Sequence, residues 1–82
     1  MNTQLQQTLT DKWTLISSTT ALLQAQGNQG CFVCRSTTGT PSDSVFGVLI
    51  KCFETYTYIP DNSDSFYARA MSLSTTSITV EK

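Results

Sequence analysis

A fourteen-residue stretch, residues 46–59, constrains the fold more than any other part of this chain. Every second position in it is apolar or aromatic apart from one glutamate, which is typical of a β-strand with a buried face. These positions are Phe46, Val48, Ile50, Cys52, Glu54, Tyr56 and Tyr58. A helix is excluded because Lys51, Glu54 and Thr55 would interrupt any apolar stripe at helical spacing. Since strands usually run for about 5–6 residues, we expect a break or bulge within residues 51–54 and largely buried side chains at Val48 and Ile50.

The rest of the chain has the pattern of shorter strands separated by turns. We expect strands over residues 13–17, 21–26, 31–36, 66–71 and 77–81, with Ile78 and Val80 pointing inward. The Gly-Asn-Gln-Gly segment at 27–30 predicts a hairpin loop, and residues 17–19, 37–44, 60–65 and 73–76 predict turns or loops. The predicted fold class is all-β, a small antiparallel β-sandwich or partly closed barrel of about 6–8 short strands.

The N-terminal residues are polar and rich in Gln and Thr. We therefore expect a non-globular arm at residues 1–11, followed by a single β-sandwich domain at residues 12–82. Leu5 and Leu9 lie four positions apart, so they would present one face to a neighbouring subunit in a helical arm, or occupy two pockets in an extended arm. A frayed terminus is the alternative interpretation.

Size and charge favour a subunit of an assembly. At 82 residues the chain is near the lower limit of what folds without help, and charged residues make up 13% of it, about half the usual share. A small, weakly charged β-protein is prone to pairing at its sheet edges unless a partner covers them. The five Lys and Arg residues form no basic stripe, which disfavours nucleic-acid binding. We find neither a membrane-spanning apolar run nor a secretory signal, so we expect the chain to stay in the compartment where it is made.

The three cysteines, Cys31, Cys34 and Cys52, are interpreted as small buried hydrophobic residues. Positions three apart in a strand point to opposite faces, so Cys31 and Cys34 are not expected to share a disulfide or a metal. The chain has no histidine to complete a zinc site, and we expect no metal and no cofactor. A Cys34–Cys52 cross-strand disulfide satisfies the strand alternation, although a reducing cytoplasm opposes it.

We expect a protein without enzymatic activity. A hydrolase needs a nucleophile, a base and an orienting group, and the usual base is missing because there is no histidine. No glycine-rich phosphate loop precedes a helix. Of the six carboxylates, only Glu54 falls on the apolar positions of residues 46–59. It is either a buried acid, or a residue at the strand break that faces solvent or caps backbone amides.

Residues 13–81 contain a series of short motifs in a definite order. It runs from Trp13-Thr-Leu-Ile-Ser through Leu23-Gln24, a Gly-rich loop, Gly47-Val-Leu-Ile50, Glu54 and Tyr67-Ala-Arg69-Ala70 to Ile78-Thr-Val80. This order resembles the small β-sandwich structural proteins of tailed-bacteriophage virions, which decorate capsids or sit in head and tail fibres. Such chains turn before the Glu with a Pro-Gly pair, whereas residues 51–53 here are Lys-Cys-Phe.

The resemblance implies a virion component that is made in the host bacterial cytoplasm and present in many copies. It implies a homo-oligomer, a dimer or trimer, that also contacts other virion proteins such as the major capsid protein. Assembly would proceed through β-edges and the N-terminal arm. The candidate partner-binding residues are Leu5, Leu9, Trp13, Tyr67 and Arg69.

A binding module is the alternative function. It would be a fibre tip that recognises a host glycan, or a phage-encoded inhibitor of a host protein. The candidate platforms for a sugar are Trp13, Tyr56, Tyr58 and Tyr67, and packing in the core is the competing explanation for these rings. For Trp13, we expect a lid on the core in preference to a ligand platform.

Overall fold

Eight short strands and no helix make up the part of the chain that the computed structural model describes, residues 4–26, 30–70 and 76–82. The strands are β1 (Gln4–Leu9), β2 (Thr14–Ser17), β3 (Ala21–Gln26), β4 (Cys31–Ser36), β5 (Val48–Ile50), β6 (Thr55–Tyr58), β7 (Ser65–Ala70) and β8 (Thr76–Glu81). All the strand pairs are antiparallel, which confirms the predicted all-β class. The predicted strands at 21–26 and 31–36 coincide with β3 and β4, and three others match β2, β7 and β8 to within one residue.

The strands form two sheets with a nested order. Sheet 1 has the order β1-β8-β3-β6 and sheet 2 the order β2-β7-β4-β5. The pairs β1·β8, β2·β7, β3·β6 and β4·β5 nest around the connection between β4 and β5, so the chain is one antiparallel ribbon wrapped between the two sheets. A ribbon wrapped in this way has the strand order of a jelly roll, one of the β-sandwich architectures.

The core lies between the inner faces of the sheets. Its largest fully buried side chains include Tyr58 and Phe66, whose ring centroids lie 5.1 Å apart. Ile50 and Ile78 are buried as predicted, and Val80 points inward with them. Val48 was also expected to be buried, and that prediction is wrong because the residue is 68% exposed. It shares the inner face of β5 with Ile50, but β5 ends its sheet, so no neighbouring strand covers Val48.

Residues 46–59 form two strands in different sheets, β5 and β6. The expected break at 51–54 is confirmed as a tight turn in which the Glu54 N–H donates to the Lys51 carbonyl at 3.0 Å. The Glu54 side chain caps this turn, since its Oε1 accepts the Lys51 N–H at 3.0 Å. The expected buried face holds for Ile50 and Tyr58 but fails for Phe46, which is 82% exposed. Phe46 precedes β5 and takes part in no strand.

Residues 4–9 do not form an arm, and this corrects the prediction for residues 1–11. Strand β1 pairs with β8 along its whole length, from Gln4 opposite Glu81 to Leu9 opposite Thr76. Leu9 is 1% exposed and belongs to the core, whereas Leu5 on the same face is 60% exposed. Residues 4–9 form a strand because Leu5 and Leu9 lie on the same side of an extended chain, which gives β1 an inner face despite its polar composition. Residues 1–3 lie outside the described part of the chain.

The predicted hairpin at residues 27–30 is also corrected. β3 lies in sheet 1 and β4 in sheet 2, so the connection passes between sheets instead of joining neighbouring strands. Residues 27–29 themselves lie outside the described residues, as do 71–75, which include most of the turn predicted at 73–76. The other turns are present: the Thr19 N–H donates to Ser17 Oγ at 3.1 Å, and the Asp64 N–H donates to the Asp61 carbonyl at 3.1 Å. Residues 37–47 contain no strand and connect β4 to β5.

The cysteines on β4 lie on opposite faces, as their spacing predicts. Cys31 is buried in the core, and burial raises the pKa of its thiol to about 11. Cys34 is half-buried on the outer face of sheet 2, and partial burial also raises its pKa. Cys52 lies in the turn between β5 and β6. Among the residues described, no three His, Cys, Asp or Glu side chains form a group that could hold a metal ion.

Candidate functional site

The sandwich is open along the edge formed by β5 and β6. Each of these strands ends its sheet, and the turn at residues 51–54 joins them, so their two unpaired edges lie on the same side of the molecule. Val48 illustrates the opening: it pairs with the buried Val33 on the inner face, yet it remains 68% exposed. An inner-face valine in contact with water shows that no element of the described chain covers the edge at Val48, whereas Ile50 on the same face is 4% exposed.

A groove of about 520 Å³ runs into this open edge. Its walls are mainly inner-face side chains of the two sheets, among them Val33, Val48, Ile50, Tyr56 and Phe66. The Tyr56 and Phe66 rings stack with centroids 5.2 Å apart and planes inclined by 21°. Because apolar walls and aromatic rings dominate the lining, the groove suits an apolar or aromatic group better than an ion.

Two exposed phenylalanines are next in sequence to residues that line the groove. Phe46 directly precedes the lining residue Gly47 and is 82% exposed. Phe53 directly precedes the lining residue Glu54 and is 64% exposed. The Phe53 backbone is held in place by its N–H, which donates to the Ala25 carbonyl at 2.8 Å, and by its carbonyl, which accepts Gln24 Nε2 at 2.9 Å. The exposed ring of Phe53 is therefore presented from a fixed backbone position.

Phe53 also has a backbone conformation that large side chains avoid. Its φ is +63°, in the left-handed region, where bulky residues are rare and glycine is favoured. A residue held in this region costs of order 1–3 kcal/mol, which the surrounding hydrogen bonds must offset. The chain thus keeps an exposed phenyl group at a position where glycine would be less strained.

Three residues predicted to bind a partner come together elsewhere, on the outer face of sheet 2. The guanidinium of Arg69 lies 4.6 Å from the Trp13 ring centroid, and Tyr67 is two residues from Arg69 on the same face of β7. Arg69 donates to the carbonyls of Asp43 and Val45 at 3.2 and 2.9 Å, so it ties residues 43–45 to the sheet. Trp13 and Tyr67 are each 6% exposed, which leaves neither ring free to serve as a platform.

Trp13 is buried as expected, but outside the main core. It packs beside Gly47, where a Cβ would lie 2.8 Å from Trp13 Cη2 and 2.6 Å from the Val33 carbonyl oxygen. Gly47 also has a φ of +76°, so both the backbone and the space require glycine. Trp13 Nε1 is buried and has no hydrogen-bond partner in the described ranges.

A second concavity, of about 310 Å³, lies beside this cluster and is lined by Lys12, Phe32, Asp43 and Arg69, with Asp11 and Ala70. Its charges already have partners within the chain: Lys12 Nζ lies 3.0 Å from Asp43 Oδ2, and Arg69 binds two carbonyls. The hydrogen bond from Lys12 to Asp43 raises the pKa of Lys12. This surface holds the connection between β4 and β5 and offers few unpaired groups to a ligand.

The turn between β6 and β7 is locked by a buried polar cluster. The Tyr58 hydroxyl lies 2.5 Å from Asp64 Oδ1, which also accepts the Asp61 N–H at 3.2 Å. Arg35 approaches Asp64 Oδ2 at 3.4 Å, donates to the Ile59 carbonyl at 2.9 Å and stacks over the Tyr58 ring. Burial, followed by the bond to Asp64, raises the pKa of Tyr58 to about 12. The Tyr58 hydrogen bond lowers the pKa of Asp64.

The outer face of sheet 1 is polar and nearly uncharged. By the strand register, its side chains include Gln6, Thr8, Gln24, Gln26, Thr57, Ser77 and Thr79. Gln6 Nε2 donates to Ser77 Oγ at 3.0 Å, and Gln26 Nε2 donates to Gln24 Oε1 at 2.9 Å. Leu22, 45% exposed, is the large apolar side chain on this face of the described strands, and amides and hydroxyls make up most of the rest.

The predicted site residues therefore divide into three groups. Leu9 is in the core, and Leu5 is exposed at the opposite edge from β6. Trp13, Tyr67 and Arg69 hold the outer face of sheet 2. Of the four rings proposed as sugar platforms, Trp13, Tyr58 and Tyr67 are buried, and Tyr56 is a wall of the groove.

The residues that sequence reasoning missed are Phe46 and Phe53. The available signal was the expected strand break at residues 51–54: large apolar residues at a break or before a strand have no assured place in a core. Sequence alternation placed Phe46 on the buried face of a single strand, whereas the chain forms that strand only from Val48 onward.

No protein-family model matches the chain, and no curated protein and no solved structure is significantly similar to it. Within the described ranges we find no helix long and apolar enough to cross a membrane.

Proposed function

We propose that this chain is a non-enzymatic structural protein of a bacteriophage virion, a capsid decoration or head-fibre subunit that assembles through its sheet edges. The observation that carries the proposal is the open β5–β6 edge, with its apolar groove and the two exposed rings of Phe46 and Phe53. Contiguous apolar surface rimmed by polar residues is typical of protein–protein contacts.

The composition and fold agree with such a role. The chain carries five basic and six acidic residues, so copies of it do not repel one another strongly when packed together. Jelly rolls are used in viral capsid proteins and also in lectins, so the fold alone does not select a function. The motif order described above supports the virion assignment, with the partners being other copies of the chain and a virion protein such as the major capsid protein. The sequence predicted attachment to the particle through an N-terminal arm. Because residues 4–9 are a strand of sheet 1, we assign attachment to the sheet edge instead.

Glycan recognition receives little support from the geometry. Three of the four rings predicted as sugar platforms, Trp13, Tyr58 and Tyr67, are buried, so they are not free to stack on a sugar. We therefore retain assembly as the proposed function.

The experiment is quantitative mass spectrometry of purified particles of the phage that encodes the chain. A virion subunit is present in many copies per particle, in a fixed ratio to the shell or fibre proteins. Particles assembled with Phe46→Asp should lose the chain, whereas Leu15→Asp, which changes an exposed leucine on the far strand of sheet 2, should leave occupancy unchanged. A chain that is abundant in infected cells but missing from particles would sink the proposal, and binding of the purified protein to host cells would favour the receptor-binding alternative.

A further inference from the structure

We infer that the occupant of the groove is a second copy of this chain, which joins the first about a two-fold axis along the β5–β6 edge. In this dimer each copy places its Phe53 ring, flanked by Phe46, in the groove of the other. The inference rests on the proposed assembly function and names the partner and the surface that the function uses.

The groove has the volume and the chemistry for these rings. An apolar cavity of about 150 Å³ holds a benzene molecule, so a groove of about 520 Å³ has room for two phenyl groups and part of the strand edge. The walls offer Tyr56 and Phe66, whose stacked rings form an aromatic surface. Aromatic rings anchored in a desolvated pocket are a common source of binding energy in protein interfaces.

The strained backbone of Phe53 provides an independent argument. A phenylalanine at a φ of +63°, with its ring 64% exposed, contributes little to the fold of the single chain. Strained residues of this kind persist where the surrounding structure holds them and cluster at functional sites. Burial of the ring in a partner explains why the chain holds a phenyl group where glycine would fit better.

The location of the two phenylalanines on the same sheet edge as the groove favours a two-fold arrangement. Both are next in sequence to groove-lining residues, so one edge supplies the rings and the groove that would receive them. When both copies use the same surface, the contact is closed and two-fold. A two-fold axis at a sheet edge also sets two copies of the edge strand antiparallel, the arrangement of all the strand pairs in the described residues. Lys51 and Glu54 give the turn one charge of each sign, so facing copies do not repel.

The exposed aromatic area is a substantial part of what a stable dimer interface buries. Phe46 and Phe53 leave on the order of 300 Å² of aromatic surface in water. This is roughly a third of the about 800 Å² that each partner buries in a standard interface. Val48, the groove walls and the two strand edges contribute the remainder.

The test is native mass spectrometry and sedimentation of the full chain over a concentration series. We expect a dimer at about 100 µM that dissociates on dilution. Phe53→Gly should weaken the dimer at least about ten-fold, because the ring is lost from the groove. Its melting temperature, measured where the chain is monomeric, should not fall, because glycine relieves the backbone strain. Phe46→Ser should weaken the dimer without unfolding the chain, since its ring is 82% exposed.

Two exposed leucines serve as matched controls. Leu15, 51% exposed on β2, lies on the strand of sheet 2 farthest from β5, so Leu15→Ser should leave the dimer unchanged. Leu5, 60% exposed on β1, lies at the opposite edge of sheet 1, and Leu5→Ser tests a head-to-tail arrangement.

A chain that stays monomeric at about 100 µM overturns the inference. So does a dimer that is insensitive to Phe46→Ser and Phe53→Gly, a trimer or larger ring, or association that Leu5→Ser abolishes. These results are separable from the proposed function, because particle occupancy is measured independently. If the chain is a monomer but is found in many copies on particles, only the dimer inference is refuted. If it is a dimer but is missing from particles, only the virion role is refuted.

Discussion

Leu9→Ala tests whether β1 is part of the folded core or an appendage. Leu9 is 1% exposed and belongs to the core, so the substitution removes buried methyl groups and leaves a cavity, at a cost of about 2–5 kcal/mol. The whole domain, at 82 residues, should have an unfolding free energy of about 4–12 kcal/mol. The variant should therefore lose a large fraction of the stability, and its melting temperature should fall by at least about 8 °C.

Leu5→Ala is the matched control, because it makes the same chemical change on the same face of the same strand. Leu5 is 60% exposed, so truncation should cost less than about 1 kcal/mol. Both variants can be followed by urea unfolding with the fluorescence of Trp13, which is the only tryptophan in the chain and is 6% exposed when folded. The midpoint should move for Leu9→Ala while the slope with urea stays the same.

Equal and small effects of the two leucine substitutions would refute this reasoning, because they would mean that β1 does not pack against the core. The same result would restore the interpretation of residues 1–11 as an arm. A large effect of both substitutions would show that Leu5 is covered in solution, which points to a contact at the β1 edge.

Three further predictions concern the Tyr58–Asp64 hydrogen bond, Gly47 and the buried thiol of Cys31. The pKa of Asp64 is lowered in the folded state chiefly by Tyr58, so the stability this provides is present above the unfolded pKa of about 3.9 and is lost as pH falls through the folded pKa. Tyr58→Phe should therefore flatten the acid side of the stability–pH profile in urea titrations, and an unchanged profile would contradict the lock. Gly47→Ala should lower the unfolding free energy by at least about 1–3 kcal/mol in thermal melts, because the added Cβ meets Trp13 and the φ is positive; a neutral result would show that the backbone there adapts. Burial raises the pKa of the Cys31 thiol to about 11, so it should react with a thiol reagent only on unfolding, and prompt reaction in the native state would place it outside the core.

Local alternation predicted most of the strands. Residues 21–26 contain good helix formers, yet the segment between two turn signals is too short for a stable helix, and it forms β3 with Leu23 fully buried. Ile78 and Val80 point inward from β8 as their spacing predicts. In these segments the residues that the short-range pattern places on the inner face are the ones that the tertiary structure buries.

Pairing between strands could not be predicted in this way. The glycine-rich segment at residues 27–30 has hairpin composition, but β3 and β4 join different sheets, because each finds its neighbours far away in sequence. Exposure of Val48 likewise depends on which strands lie beside and above β5, a property of topology and not of the residue. Polar composition hid β1, whose two leucines were the only local sign of an inner face.

The candidate site was harder to predict than the fold for a related reason. Trp13, Tyr67 and Arg69 were singled out as partner-binding candidates. In the structure Trp13 and Tyr67 are each 6% exposed, and Arg69 packs on the Trp13 ring and binds the carbonyls of Asp43 and Val45. Phe46 was assigned to the buried face of a strand and Phe53 to the strand break, and neither was singled out as exposed; Phe46 precedes β5, Phe53 lies in the turn before β6, and both are largely exposed. Large apolar residues are informative about function only once the packed ones are known.

A cryo-EM map of the purified particles tests the central claim, that this jelly roll is a virion subunit assembled through its open edge, most directly. The account predicts eight-stranded domains in repeated positions on the particle, with copies meeting in pairs at β5 and β6 and the Phe53 rings buried between them. A map without the domain would contradict the virion role. A map in which the domain is present, with its β5–β6 edge in solvent and another face attached, would contradict the assembly surface.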